Sequence, residues 1–566
     1  MKDNLKKVMA VMLSAVMAMS LMMTTVVKAV EPTGAIKLTS SSQPLNGRTF
    51  EAYQLFNLKV SEGKDKFAYT EVTPQVTAGV VAALDQAVTD YNAAKDPNLT
   101  FTKEGATAKS IVAFLDENKD NTVFLNRFAH ELQVHKNQLG TPKPAELAVE
   151  GDPILNATIN GLPYGYYVVV ETTVVDPQTK DKALSIAMLD NVYKDVNEIK
   201  VKSEVPSVEK TIQKDGTEVK GNDYNVGDEI IFNLKGTAPS NYVLSTYETY
   251  HYTFHDKLSK GLKVNSVEAL QLTFAINGEP VEFVVNTETN EITYNGVKVG
   301  TVTLAVQPDG TTDLTIDFDL KAEPFNTLFN KEGQNKITVT YKAVLDKDAE
   351  LGKPGNDNKV YIEYNNNPYT DEKGTSTESK VYSYTYGFDI TKTDGTTKEV
   401  LAGATFKLYT NAACTDEYDI WATKTGEGKY LYSKTEGQPA VNEFKVDAQG
   451  KLYIDGLATG TYWLKETVAP DGYNLLEEPV KVEIKATYDE TTGELKTLQY
   501  RINDQDVKDG DQTTGYVAAT VENFSGALLP ETGGMGTTML YIVGVLAIVA
   551  GLGYFAFDKK RSNAQK

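Results

Sequence analysis

The chain has 566 residues and a formal net charge of -21, from 56 Lys and Arg against 77 Asp and Glu. That balance argues against nucleic acid as a partner, since an acidic surface repels phosphates. The length is too great for one core and suits three units of ordinary size. With 32 Tyr, 42 Gly and only 2 Trp, the composition favours β-sandwiches over helical bundles.

Lys2, Lys6 and Lys7 precede an apolar stretch from Val8 to Val27, and Val27-Lys28-Ala29 follows with the small residues of a signal-peptidase site. A signal peptide over 1–29 is therefore expected, and with it export. Only one cysteine, Cys414, is present, so no intrachain disulfide can staple an exported chain. Durability outside the cell then requires another covalent link.

From 30 to 203 the pattern is α+β. Ile36 to Thr39 and Arg48 to Phe56 read as strands, as does Gly165 to Val170. Thr73-Pro74 opens a helix with Val80, Val81, Leu84 and Val88 on one face, and Phe124, Leu125, Phe128 and Leu132 mark a second. The phrase Gly47-Arg48-Thr49-Phe50-Glu51-Ala52-Tyr53-Gln54-Leu55-Phe56 resembles the N-terminal domain of Gram-positive sortase-assembled backbone pilins. In that family a pilin motif ends this domain, and the resemblance places Lys202 at its acceptor lysine, with Tyr193 ahead of it and Pro206 after it. Tyr193 stands where Trp is usual and Lys200-Val201 replaces Tyr-Pro, which leaves Lys200 as a rival. Glu171 sits in a Tyr167-Val168-Val169-Val170-Glu171-Thr172-Thr173 phrase only partly like the acid-bearing E-box of such domains, and Lys37 and Asn191 are its nearest candidate partners.

From 204 to 383 strands dominate, with Asn277-Gly278 and Asn295-Gly296 as hairpin turns. Lys210, Asp256 and Asn358 resemble the first-strand Lys, the acid and the last-strand Asn of pilin domains that form an internal Lys–Asn isopeptide bond; Asp228 and Glu229 are rival acids. From 384 to 526, Phe388 to Lys392, Leu401 to Tyr409 and Gly456 to Tyr462 resemble the B-type repeat of collagen adhesins, a transthyretin-like sandwich. Tyr462 to Tyr473 matches that family's E-box throughout. The resemblance implies a Lys392–Asn523 bond with Glu466 as its catalyst.

The last stretch, 527–566, holds Leu529-Pro530-Glu531-Thr532-Gly533, an apolar run over 539–557 and the basic cluster Lys559-Lys560-Arg561. An uncharged run of about 19 residues suffices for roughly 30 Å of hydrocarbon, and the cluster behind it marks the cytoplasmic side. The order resembles a cell-wall sorting signal. It implies cleavage between Thr532 and Gly533 by a sortase and transfer of the Thr532 acyl group to Lys202 of an identical subunit.

The expected fold is thus mainly β: tandem Ig-like and transthyretin-like β-sandwiches, the first domain α+β, with a C-terminal transmembrane helix in the precursor. The expected role is a structural shaft subunit of a secreted, wall-anchored fimbrium, not an enzyme. Pilus-specific and housekeeping sortases, identical subunits, minor pilins and peptidoglycan are the partners the resemblance implies. The alternative is a monomeric wall-anchored adhesin for a host or matrix ligand. No cofactor and no metal is expected: Asp116 to Asp120 opens like a calcium loop but has Asn121 and Arg127 where Gly and Glu are needed. The acidic loop Asp504, Asp506, Asp509 and Asp511 is the other weak calcium candidate, and His130 and His135 are wrongly spaced for a zinc pair.

Overall fold

The computed structural model describes residues 32–40, 44–61, 66–94, 99–147, 153–173, 184–201, 204–330, 333–368, 370–435, 439–526 and 535–562. Strands predominate and enclose separate buried cores in three successive regions.

In the first region, Thr33–Thr39 lies between antiparallel Asn156–Pro163 and parallel Val196–Lys200, with Glu146–Leu147 beyond. A second sheet places Phe50–Val60 against Phe67–Glu71 on one side and Gly165–Glu171 on the other. Alternation along Gly165–Glu171 explains its unbroken apolar run: Tyr167 and Val169 enter the core between the sheets, while Val168 and Val170 meet the helices. Those helices are Pro74–Ala94, Ala108–Glu117 and Thr122–Val134. Thr73 caps the first, its Oγ1 accepting from Val76 N at 3.2 Å. Ala108–Glu117 has no counterpart in the sequence reading; Thr107 and Ser110 start it by satisfying each other's backbone N–H, a short-hydroxyl version of the usual box. Asp116 belongs to its last turn and pairs with Lys119 at 3.0 Å rather than opening an ion loop.

The middle region is a sandwich of seven-stranded and nine-stranded sheets. The Asn277-Gly278 and Asn295-Gly296 turns have positive φ at both residues, the geometry that joins Thr273–Ile276 to Glu279–Val281 and Glu291–Tyr294 to Val297–Val306. Asn335–Leu345 alternates cleanly, so Ile337, Val339, Tyr341 and Ala343 all point inward. The third region packs two six-stranded sheets around Phe388, Phe406, Leu452, Leu464 and Val517. Its first strand, Tyr386–Asp394, lies parallel to its last, Tyr516–Asn523.

The middle and third sandwiches meet closely. Tyr384, Thr385 and Tyr386 carry the chain across and are all buried. Asp223 Oδ2 accepts from Thr459 N and its Oδ1 from the Tyr488 hydroxyl, both at 2.6 Å. Gly352 and Gly515 approach until a Cβ on either would fall about 2.5 Å from the other's backbone, closer than side-chain carbons come.

Beyond Gly526, Met535–Ser562 is a continuous helix whose side chains from Met539 to Phe555 are exposed and largely apolar. Among the described residues no helix is long and apolar enough to cross a membrane.

Candidate functional site

Lys210 stands on the first strand of the middle sandwich, Val208–Lys214, opposite Leu234, two residues along from the Ile212–Phe232 pair and so on the same face. Phe232 in turn faces Tyr341 on the next strand. One sheet therefore presents Lys210, Phe232 and Tyr341 on its inner face, the amine 5.2 Å and 5.3 Å from the two ring centres. The opposite sheet supplies the other groups. His251–Leu258 and Asn356–Asn365 pair so that Asp256 faces Val360 and Asn358 faces Leu258, which puts both side chains diagonally on the same inner face.

All of these groups are sealed from water: Lys210 and Asn358 are 0 % exposed and Asp256 is 2 %. The Lys210 ammonium donates to Asp256 Oδ2 and, at 3.1 Å, to the Tyr341 hydroxyl. Tyr341 donates to Asp256 Oδ2 at 3.1 Å and accepts from Asn358 Nδ2 at 2.7 Å. Burial pushes the Lys210 ammonium down to about 8 against the opposing pull of Asp256, and it pushes the Asp256 carboxyl up against the pull of Lys210. Asp228 and Glu229 do not reach this cluster: Asp228 accepts from Asn225 N in the entering turn, and Glu229 is exposed beside Lys342 at 3.3 Å. Asn358 is not on the last strand, because Ser379–Tyr384 follows, pairs with it and leads into the next sandwich.

In the third sandwich the division between sheets is different. Lys392 and Asn523 come from neighbouring parallel strands, Lys392 facing Val521, so alternation brings Asn523 to the same inner face. Glu466 comes from the opposite sheet, on Gly460–Val468. Lys392 is 0 %, Glu466 2 % and Asn523 1 % exposed. Asn523 Nδ2 donates to Glu466 Oε2 at 2.8 Å and to the Asn474 carbonyl, while Leu476 N donates to the same carboxyl oxygen at 3.0 Å. Lys392 donates to the Val521 carbonyl at 2.9 Å. Burial lowers its ammonium to about 8, opposed by Glu466 and Glu522.

One detail repeats in both clusters. Among the described residues no donor reaches Asp256 Oδ1 or Asn358 Oδ1, nor Glu466 Oε1 or Asn523 Oδ1. Buried acceptors without donors are costly, and the donor missing from each pair is the one a protonated carboxyl carries.

The first region is built otherwise. Glu171 is buried, but its carboxylate is taken by Arg48, whose Nε and Nη2 donate at 2.8 Å and 2.5 Å, with Ser185 N and Thr173 Oγ1 donating as well. Lys37 is half-buried on the other sheet, and Asn191 accepts from the Tyr69 hydroxyl at 2.5 Å. The structure does not bring Lys37, Glu171 and Asn191 together. Arg48 was missed as a site residue although it stands in the phrase that carried the resemblance; a cation two positions before a strand buried on both faces was the available cue.

Lys202 and Leu529 to Gly533 lie outside the described residues. The approach to Lys202 is described: Val196–Lys200 is a sheet edge, Val201 N donates to the Thr39 carbonyl at 2.8 Å, Val201 is buried and Lys200 is exposed. Tyr193 meets Phe67 edge to face at 5.7 Å. Among the described residues no group of three or more His, Cys, Asp or Glu could hold a metal ion. Cys414 is buried, its sulfur 3.9 Å from the Ala412 carbonyl oxygen.

Residues 387–499 match the family model of the SpaA prealbumin-like fold domain, so the third sandwich belongs to that class of domain. The chain is 24% identical over 403 residues to the trypsin-resistant surface T6 protein of Streptococcus pyogenes serotype M6, a match covering 64% of this chain and 70% of that protein. In structure it resembles the T6 backbone pilin of serotype M6 Streptococcus pyogenes, a modular three-domain protein, with a TM-score of 0.51 and 16% identity over 88% of this chain and all of the other. The structural likeness is one of fold.

Proposed function

We propose that this chain is the shaft subunit of a covalent, cell-wall-anchored pilus, with two of its domains stiffened by internal isopeptide bonds. The observation that carries the proposal is the presence, in one chain, of two sealed Lys–acid–Asn clusters and a Leu-Pro-Glu-Thr-Gly segment ahead of an apolar run. The domains are 30–203, 204–383 and 384–526, between a signal peptide at 1–29 and a sorting signal at 527–566 with its apolar run over 539–557.

The internal reaction follows from burial. In the middle cluster the Lys210 ammonium passes a proton to the Asp256 carboxylate it is bonded to, because desolvation disfavours both charges, and in the third burial frees the Lys392 amine. The free amine of Lys210 or Lys392 attacks Cγ of Asn358 or Asn523, and the protonated acid steadies the negative charge on the carbonyl oxygen. The new C–N bond forms, the old one breaks, and ammonia leaves with a proton from the attacking amine. The fold supplies the proximity that makes an amide reactive at all.

The external reaction is done to the chain. A sortase cysteine breaks the Thr532–Gly533 bond and holds the Thr532 acyl group as a thioester until an amine accepts it. Lys202 of a second copy is the acceptor, two residues further in sequence than the edge strand Val196–Lys200, and head-to-tail joining then gives an open filament. A pilus-specific sortase makes that link, a housekeeping sortase moves the finished polymer to peptidoglycan, and minor pilins share the fibre.

Boiling cells that express the chain in detergent tests this. The expected outcome is a ladder of polymers that collapses in Lys202→Ala and persists in Lys200→Ala. A single band from the unaltered chain after wall digestion would replace the shaft with a monomeric wall-anchored adhesin for a host or matrix ligand.

A further inference from the structure

The two clusters differ by one methylene and one hydroxyl. In the third sandwich Glu466 touches the Asn523 amide nitrogen directly, at 2.8 Å. In the middle sandwich the acid is the shorter Asp256, and the Asn358 amide nitrogen donates to Tyr341 at 2.7 Å; Tyr341 then reaches Asp256 at 3.1 Å and receives Lys210 at 3.1 Å. The hydroxyl thus stands at the centre of the cluster, bonded to the nucleophile, the acid and the leaving group. Its ring is fixed by stacking on Phe232, with centres 5.4 Å apart. In the third sandwich the leaving nitrogen meets the Glu466 carboxyl and the Asn474 carbonyl, and among the described residues no hydroxyl is bonded to it.

We propose that Tyr341 is a catalytic residue of the middle cross-link, relaying a proton from the Lys210 nitrogen to the departing Asn358 nitrogen. The inference rests on the isopeptide chemistry set out above. When the Lys210 amine has attacked, its nitrogen carries a proton too many and the amide nitrogen lacks one. The hydroxyl takes the first proton on its oxygen and gives its own to the second nitrogen, so ammonia departs and the tyrosine ends unchanged. It works as a neutral relay: burial and Asp256 hold its ionisation well above the ordinary range.

The test is intact and peptide mass on the purified ectodomain. The unaltered chain is expected to lack one ammonia at Lys210–Asn358 and one at Lys392–Asn523. Tyr341→Phe keeps the ring and should slow the first loss by about 100-fold or more, the scale of a general acid–base contribution, while the second proceeds normally and reports a folded protein. Asp256→Glu added to Tyr341→Phe should recover part of the rate, because the longer acid reaches the amide as Glu466 does. Phe232→Leu disturbs the packing but leaves the hydroxyl and should cross-link far faster than Tyr341→Phe. Full ammonia loss at the normal rate in Tyr341→Phe, or equal slowing in Phe232→Leu, overturns the relay. An unaltered chain with no ammonia missing overturns the isopeptide chemistry itself, and the relay with it.

Discussion

Two regions of this molecule bury a glutamate at corresponding points of similar phrases, Glu171 after Tyr167-Val168-Val169-Val170 and Glu466 after Tyr462-Trp463-Leu464-Lys465, and use it oppositely. Around Glu466 stand a lysine whose ammonium burial lowers against the pull of the acid and an asparagine whose amide is bonded to it. Around Glu171 stands Arg48, whose guanidinium grips the carboxylate and offers no nucleophile. The difference teaches that a buried carboxylate becomes reactive through its cation. Lysine gives it up to desolvation, whereas arginine locks the pair as a fixed bidentate clamp.

The sharpest way to break that comparison is to remove the reactive cation. Lys392→Ala should leave no ammonia lost in the third sandwich and lower its stability by about 5 kcal/mol, by analogy with a disulfide closing a loop of more than 100 residues. A urea midpoint, with mass as the covalent readout, measures both. In the first region Arg48→Ala should cost about 4 kcal/mol, since it strands a buried carboxylate. Arg48→Lys sharpens the contrast: it should still lose no ammonia, because no asparagine amide is bound to Glu171.

A pH series then separates free lysine from bonded lysine. In Asn523→Ala, Lys392 stays unbonded and releases its proton near pH 8 when folded but near 10.5 when unfolded. The unfolded chain binds more protons between those values, so stability should rise by roughly 2 to 3 kcal/mol as pH climbs through that window. The unaltered, cross-linked chain should be flat there. The smallest effect belongs to the rival acid: Glu229→Gln, at the exposed start of its strand, should leave cross-linking unchanged and stability within about 0.5 kcal/mol.

The strands of the three regions, the helix opened by Thr73-Pro74 and the six residues now gathered in two clusters were legible because local pattern and motif phrases carry them. Tyr341 was not, since it is one of several buried tyrosines in its sandwich, and only its register opposite Phe232 places its hydroxyl between Lys210 and Asn358. Arg48 escaped for a related reason: its partner lies 123 residues away, and the local cue is no more than its place just ahead of a buried strand. The position of Asn358 on an inner strand also needed the sheet pairing, because the strand that follows begins beyond a long loop. Whether each cluster is bonded is a question of mass, not of pattern.

The parallel pairing of Tyr386–Asp394 with Tyr516–Asn523 has a mechanical corollary. Tension would enter the third sandwich at Tyr386 and leave at Asn523, so with Lys392 and Asn523 joined the load runs up one short strand, across a single side-chain bridge and out. Every loop and strand between those two residues is then slack with respect to the fibre axis. Once the bond has formed, that stretch can open without lengthening the path between the two ends.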